Sequence, residues 1–484
     1  MKYIIAVDQS TSGTKVSLFD QEMSVCRSLR KSHRQYYPCP GGVEHDAAEI
    51  WNNTAELLTQ IVEDIPRENI LGIGIANQRE TTVLWDRATG EPACKAIVWQ
   101  DVRSKPVTDP LQPYAEEIFS LSGLQPSPYY SAGKAAYAIG SSPELRSKLD
   151  RGQLCIGTVD SYLLYRLTSG KSFLTDMTNA CRTQLFDIEK LTWSQELTEM
   201  FNIPVSALAE RVLPADSGFG LVDSIPELAG IPVLAMLGDS HASLFGHGCT
   251  AAGTVKTSFG TGSSIMMNIG GKPMWSSEGL STSIGFAFGG QLCYVLEGNV
   301  TCSADTLVWL KDSLHLINSM DELDEAGNVP DTGGVYLVPA FAGLGAPWFC
   351  ETAKAVIYGM NRGTERAHVL RAALASIAHQ NADVLDAIYR TTGIPVTSIS
   401  ADGGGCANSL LMQMQSDLVP CNLAVSMEKD LTLRGIALMA GISCGIFNKD
   451  FVTAPQRRMY TPQMEESVRI REREGWADAV KRCM

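Results

Sequence analysis

With 484 residues the chain is too long for one hydrophobic core and fits two domains near the upper end of the usual size. Its 45% apolar and 19% charged residues describe a soluble globular protein, and a net charge of −14 with no basic run argues against a nucleic-acid partner. No stretch approaches the roughly 20 apolar residues of a membrane span. The short run at 3–7 ends in Asp8 and is no signal segment, and thirteen scattered cysteines without a Cys-x-x-Cys pair read as thiols of a reducing cytoplasm.

The first expected element is an apolar strand at 3–7, running into the turn Asp8-Gln9-Ser10-Thr11-Ser12-Gly13-Thr14 and a second strand at 15–19. Such a turn offers backbone N–H groups and hydroxyls to a phosphate, and a carboxylate at the strand end can hold magnesium beside it. Residues 47–64 carry Ile50, Trp51, Leu57, Leu58 and Ile61 at helical spacing. Strands at 71–76 and 96–99 end in Gln78-Arg79-Glu80-Thr81-Thr82 and Trp99-Gln100-Asp101, and Tyr129-Tyr130-Ser131 reads as a loop. Arg79 and Glu80 form either a solvated ion pair or a donor and acceptor for hydroxyls. Trp99 either belongs to the core or lies against a carbohydrate carbon chain. A strand at 231–237 stops at Gly238-Asp239 before a helix, where Asp239 either caps the helix or accepts a proton in a cleft. The small-residue stretch at 246–253 places a domain boundary, giving units 1–248 and 249–484.

The second half repeats the opening design: a strand at 254–259, the turn Gly260-Thr261-Gly262-Ser263-Ser264, and a strand at 265–268. A strand at 334–339, a Gly/Pro loop at 341–347 and a long helix at 366–389 follow. A strand at 396–401 then enters Asp402-Gly403-Gly404-Gly405 ahead of a helix at 408–417, an arrangement suited to an anion. Neither a P-loop nor a G-x-G-x-x-G dinucleotide motif is present. Two glycine hairpins, one opening each half, point to related domains facing each other across a nucleotide.

These segments, taken in order, resemble the FGGY carbohydrate kinases, and among them most closely the glycerol kinases. The resemblance rests on Val7–Thr11, Gly42–Asp46, Asn77–Thr82, Ala96–Gln100, Thr175–Thr183, Gly238-Asp239, Phe259–Gly262, Pro339–Pro347, Ala378-His379-Gln380 and Asp402–Gly404 with Asn408. It implies an α/β fold of two actin-like, ribonuclease-H-like domains with an ATP and substrate cleft between them. It further implies ATP-dependent phosphorylation of a small polyol or sugar, with glycerol or a close relative as the default substrate, Asp239 as the base that takes the hydroxyl proton and Asp8 near magnesium. Arg79, Glu80, Trp99 and Tyr129 match polyol-contacting positions, and Thr11, Ser12, Gly260, Thr261, Gly404 and Asn408 match nucleotide turns. A cytoplasmic homodimer or homotetramer is the matching expectation.

Two departures bear on the substrate. Glycerol kinases resembling this chain carry Gln where Ser240 stands and a Phe in the stretch occupied by Ser263 and Ser264. Smaller polar groups there, with His241 next to Ser240, favour a four- or five-carbon polyol or ketose over glycerol. An actin- or chaperone-type ATPase on the same fold is a third reading, one that has no need for Arg79, Glu80, Trp99 and Tyr129. Some glycerol kinases are inhibited by fructose 1,6-bisphosphate at a loop before the catalytic strand; here 223–230 holds no Arg or Lys, so inhibition at that loop is not expected.

Overall fold

A computed structural model describes residues 1–448, 451 and 455–484. The first half is built on a six-stranded sheet. Its strands are β1 (Tyr3–Ser10), β2 (Gly13–Phe19), β3 (Val25–Ser32), β4 (Ile70–Asn77), β5 (Gly220–Leu221) and β6 (Pro232–Gly238), in the order β5-β6-β4-β1-β2-β3. The second half holds a seven-stranded sheet of β7 (Thr254–Phe259), β8 (Ser263–Gly270), β9 (Ser281–Phe288), β10 (Gln291–Val300), β11 (Ser398–Asp402), β12 (Asn422–Ser426) and β13 (Arg457–Tyr460). Its order is β9-β10-β8-β7-β11-β12-β13.

The two sheets share one topology. In each, an opening hairpin is extended on one side by an antiparallel strand, β3 or β10. On the other side come two parallel strands, β4 and β6 or β11 and β12. Parallel strands end side by side, so their C-terminal ends make a crevice where ligands collect. Gln9, Asn77 and Gly238 stand in register at that end of the first sheet, one residue past Asp8; Ser258 and Asp402 do so in the second.

The opening turns are shorter than the sequence suggests. Ser10 pairs directly with Gly13, so Thr11 and Ser12 alone cross over and Asp8 is a strand residue. In the second hairpin Phe259 pairs with Ser263, leaving 260–262 as the turn. The alternation of these strands continues through the small polar residues because backbone pairing, unlike hydropathy, is indifferent to them. The expected strand at 334–339 is only Tyr336–Val338, paired outside the main sheet, and that at 96–99 is only Ala96–Ile97 in a small accessory sheet.

Helix α1 (Ala47–Ile61) covers the first sheet with the apolar face predicted for it, and Asp46 caps its N-terminus. The remaining helices used below are α2 (Ser131–Gly140), α3 (Asp239–Gly246), α4 (Arg366–Thr392), α5 (Ser409–Leu418) and α6 (Leu431–Ser443). Although α6 lies beyond the expected boundary, it packs on the first sheet, against β1, β4 and β6, and crosses α3. The crossing demands glycine: a Cβ on Gly435 would stand 1.8 Å from the Ala242 carbonyl oxygen, and one on Gly246 2.2 Å from that of Leu431. Beside it, Phe245 meets Phe286 and Phe288 of β9 edge to face, in an apolar cluster that joins the two halves.

Candidate active site

Asp239 is the first residue of α3, immediately after β6, and Gly238 occupies the cap position. Its carboxylate therefore does not cap the helix; Oδ1 accepts from the Ser240 N–H at 2.6 Å and lies 3.5 Å from Arg79 Nε. About a third of the side chain is open, and it opens onto two clefts.

The first cleft, of about 410 Å³, holds Arg79, Glu80, Trp99, Tyr129, Asp239, Ser240 and Ser264, all seven expected substrate residues. That volume is within the usual range for a small-molecule pocket. Trp99 and Tyr129 stand edge to face at 5.8 Å, and Trp99 Nε1 donates to Thr11 Oγ1 at 2.9 Å. Thr11, expected among the nucleotide turns, lines this first cleft instead, with its hydroxyl engaged. Lys134 of α2 secures the loop below, donating to the carbonyl oxygens of Pro128 at 2.8 Å and of Tyr129.

Arg79 and Glu80 do not pair with each other. Glu80 has a left-handed backbone, φ 59°, and the two side chains find different partners. Arg79 forms a two-pronged pair with Glu297 of β10 at 3.0 and 2.9 Å. Glu80 accepts from Arg182 Nε at 2.6 Å, and Arg182 also reaches Glu297 at 3.1 Å. All four side chains are nearly shut off from solvent. Burial alone would raise the Glu297 carboxyl, but the guanidiniums of Arg182 and Arg79 outweigh it and hold it well below the ordinary carboxylate range. His241 lies behind this network, fully buried with neither ring nitrogen hydrogen-bonded. It does not line the cleft, so the imidazole is not available to substrate hydroxyls as the sequence suggests.

The second cleft, of about 330 Å³, adjoins the first through Asp239 and Ser240. It mixes the carboxylates of Asp8, Asp402 and Asp430 with the ammonium groups of Lys256 and Lys429. Burial, then the nearby Asp239 and Asp430, push the Asp8 carboxyl up to about 7, and its Oδ1 is buried without a hydrogen-bond partner. A buried, unpaired carboxylate among other acids is a fitting neighbour for a cation. Among the described residues no cluster of three or more acids, His or Cys is close enough to cage a metal alone. Magnesium characteristically takes one or two carboxylates and completes its shell with water and substrate phosphates, so the donor set fits that ion.

Beyond this cleft the two glycine turns meet. Gly403, φ 95°, lies against Phe259, where a Cβ would stand 2.5 Å from its carbonyl oxygen. Gly260, Thr261 and Gly404 are thereby gathered at one open edge, the latter two exposed. Asn408 instead caps α5, its Oδ1 accepting from the Leu411 N–H at 2.8 Å. Ser12 is exposed at the tip of the first hairpin and lines neither cleft. Glu297, Arg182, Lys256 and Asn299 escape the sequence reading. The one available signal is Lys256, a lysine within an otherwise apolar and hydroxyl strand.

Two copies of one α/β topology, a hydroxyl-lined cleft and an acid-and-lysine cleft sharing one aspartate define a phosphotransferase acting on a small alcohol. The chain belongs to the FGGY family of carbohydrate kinases: the model of the family's N-terminal domain matches residues 3–246 and that of its C-terminal domain residues 255–444. It is 40% identical to the glycerol kinase of Halorhodospira halophila, covering 100% of this chain and 97% of that one. Glycerol kinase 2 of Sulfolobus acidocaldarius is likewise 40% identical, with 100% and 98% covered. The crystal structure of Plasmodium falciparum glycerol kinase with ADP superposes with a TM-score of 0.95 at 33% identity, over 100% of this chain and 98% of that one. The protein is accordingly an ATP-dependent kinase of a small polyol or sugar, similar to glycerol kinases, and the ATPase-machine reading lapses. No helix among the described residues is long and apolar enough to cross a membrane.

Proposed function

We propose that this kinase phosphorylates a terminal hydroxyl of an acyclic polyol or ketose of four or five carbons in preference to glycerol. The carrying observation is Ser264: it lines the first cleft, and its hydroxyl is buried with no hydrogen-bond partner among the described residues. A buried hydroxyl without a partner is costly unless a ligand supplies one. Glycerol itself is the second reading, favoured by the names of the relatives at 40% identity.

In this reading residues 1–248 supply the base and most of the polyol contacts, and 249–484 supply Ser264 and the nucleotide turns Gly260, Thr261 and Gly404. Arg79, Glu80, Trp99 and Tyr129 grip the glycerol-like terminus and aim its hydroxyl at the cleft junction. Asp239 takes the proton as the substrate oxygen bonds to the terminal phosphorus of ATP and the bond to the bridging oxygen breaks, releasing ADP. Asp8 is the residue to hold magnesium, which when bound offsets phosphate charge. Lys256 and Lys429 add fixed positive charge at the same place.

Thirteen free cysteines support a cytoplasmic setting, and a homodimer or homotetramer remains our expectation for the assembly. The test is magnesium-dependent ADP release measured against glycerol, four- and five-carbon polyols and ketoses, and hexitols. Higher kcat/KM on a four- or five-carbon compound supports the proposal, and a maximum on glycerol overturns it.

A further inference from the structure

Strands β8 and β10 are antiparallel neighbours, with Ser264 directly opposite Asn299 and Met266 opposite Glu297. Alternation along an extended chain puts positions 297, 299 and 301 on one face. Glu297 on that face reaches Arg79, while Asn299 and Thr301 line the first cleft beside Ser264. Ser263, one residue out of phase with Ser264, turns instead to Ser303 at 2.8 Å.

The wall so formed differs from the wall it faces. Across the cleft the guanidinium, the glutamate and the indole have protein partners: Arg79 pairs with Glu297, Glu80 with Arg182, and Trp99 with Thr11. On this side the hydroxyl of Ser264 is buried without a partner among the described residues, and the Asn299 backbone carbonyl accepts from the Ala346 N–H at 3.1 Å while its side chain faces the cleft. That bond fixes the strand at the point where the amide projects. An amide offers two donors and an acceptor, and adjacent hydroxyls on a carbon chain offer the complement.

We propose that Asn299 is a specificity-determining residue, binding with Ser264 the hydroxyl groups that a substrate carries beyond its third carbon. The inference rests on the preceding reading of the cleft as a polyol site. It adds the residue that discriminates and the ligand class it takes, an acyclic chain with a hydroxyl on carbon four and, where present, on carbon five.

The experiment compares the unaltered enzyme with Asn299→Ala and Asn299→Ser, measuring kcat/KM for glycerol and for the best four- or five-carbon substrate. Asn299 is exposed, so both variants should fold; unchanged thermal unfolding checks that. The ratio of long to short substrate should fall about 10- to 100-fold in Asn299→Ala, since a site built for hydroxyls gains little from a residue that cannot bond them. Asn299→Ser should recover part of it. An unchanged ratio in Asn299→Ala, with the unaltered enzyme still preferring the longer substrate, overturns the role of Asn299 alone. Preference of the unaltered enzyme for glycerol overturns the substrate reading and this inference with it.

Discussion

Arg79 and Glu297 are 218 positions apart in sequence, yet form a two-pronged ion pair at 3.0 and 2.9 Å that links the end of one sheet to the middle of the other. The contact fixes the guanidinium whose Nε faces Asp239, so the placement of Arg79 in the first cleft depends on a carboxylate from the opposite wall. Removing one partner of such a buried pair leaves charge only partly compensated, here on Arg79, whose remaining acid is Asp239 at 3.5 Å, and on Arg182, which keeps Glu80. Glu297→Gln should therefore lose about 3–5 kcal/mol of stability and raise KM for the polyol more than for ATP. Denaturant unfolding and a two-substrate kinetic matrix check both halves of this expectation.

The same residue carries a pH signature. Because the Glu297 carboxyl sits below its ordinary value of 4.5 in the folded protein, its stabilisation is complete above that pH and is lost as pH falls toward the folded value. In the unaltered enzyme, stability should decline more steeply below 4.5 than in Glu297→Gln. Parallel acid-unfolding curves for the two proteins would contradict the assignment.

Asp239 is the only carboxylate shared by the two clefts. If it takes the hydroxyl proton, Asp239→Asn should lower kcat by roughly 10²–10⁴ while ATP affinity holds. Nucleotide binding by calorimetry, set beside turnover, separates a lost base from a damaged nucleotide site. Near-normal turnover would leave Asp239 a structural role at the start of α3.

Much of this was legible because it is local. Glycine and hydroxyl punctuation located both hairpins, and apolar spacing located α1 and α4, whose observed bounds Ala47–Ile61 and Arg366–Thr392 differ from expectation only at the ends. The expected substrate residues share one cleft because Arg79, Glu80, Trp99, Asp239 and Ser240 follow strands of the first half, while Tyr129 comes from a loop and Ser264 from β8 of the second. The partner choice of Arg79 and Glu80 was not legible. Adjacent opposite charges suggest each other, whereas the fold separates them through a left-handed residue and pairs each across the sequence. His241 was misplaced for a related reason: two helical steps past Asp239 turn the side chain from the cleft into the core.

The loop at 223–230 also changes on folding. It contains no cation, but Lys171 pairs with Asp223 at 2.7 Å and the Arg67 guanidinium lies against Gly230. Positive charge is therefore supplied from elsewhere in the chain, though Lys171 already has an acid as its partner. Fructose 1,6-bisphosphate should still not inhibit at this loop; a titration of activity at saturating ATP, repeated with Arg67→Ala, checks it. Inhibition abolished by that substitution would show that Arg67 completes a site.

The central claim concerns the chain length of the substrate, and one competition experiment addresses it. Glycerol and four- and five-carbon polyols and ketoses are mixed at equal concentration with limiting ATP, and the phosphorylated products are quantified by mass spectrometry. Product ratios then equal the ratios of kcat/KM. Losing an apolar wall is worth about 1–3 kcal/mol, a factor of roughly 10–200, which the extra hydroxyls recover on Ser264 and its neighbours. The account predicts a four- or five-carbon phosphate as the dominant product, with Ser264→Phe shifting the mixture back toward glycerol phosphate. Glycerol phosphate dominating in the unaltered enzyme would contradict it.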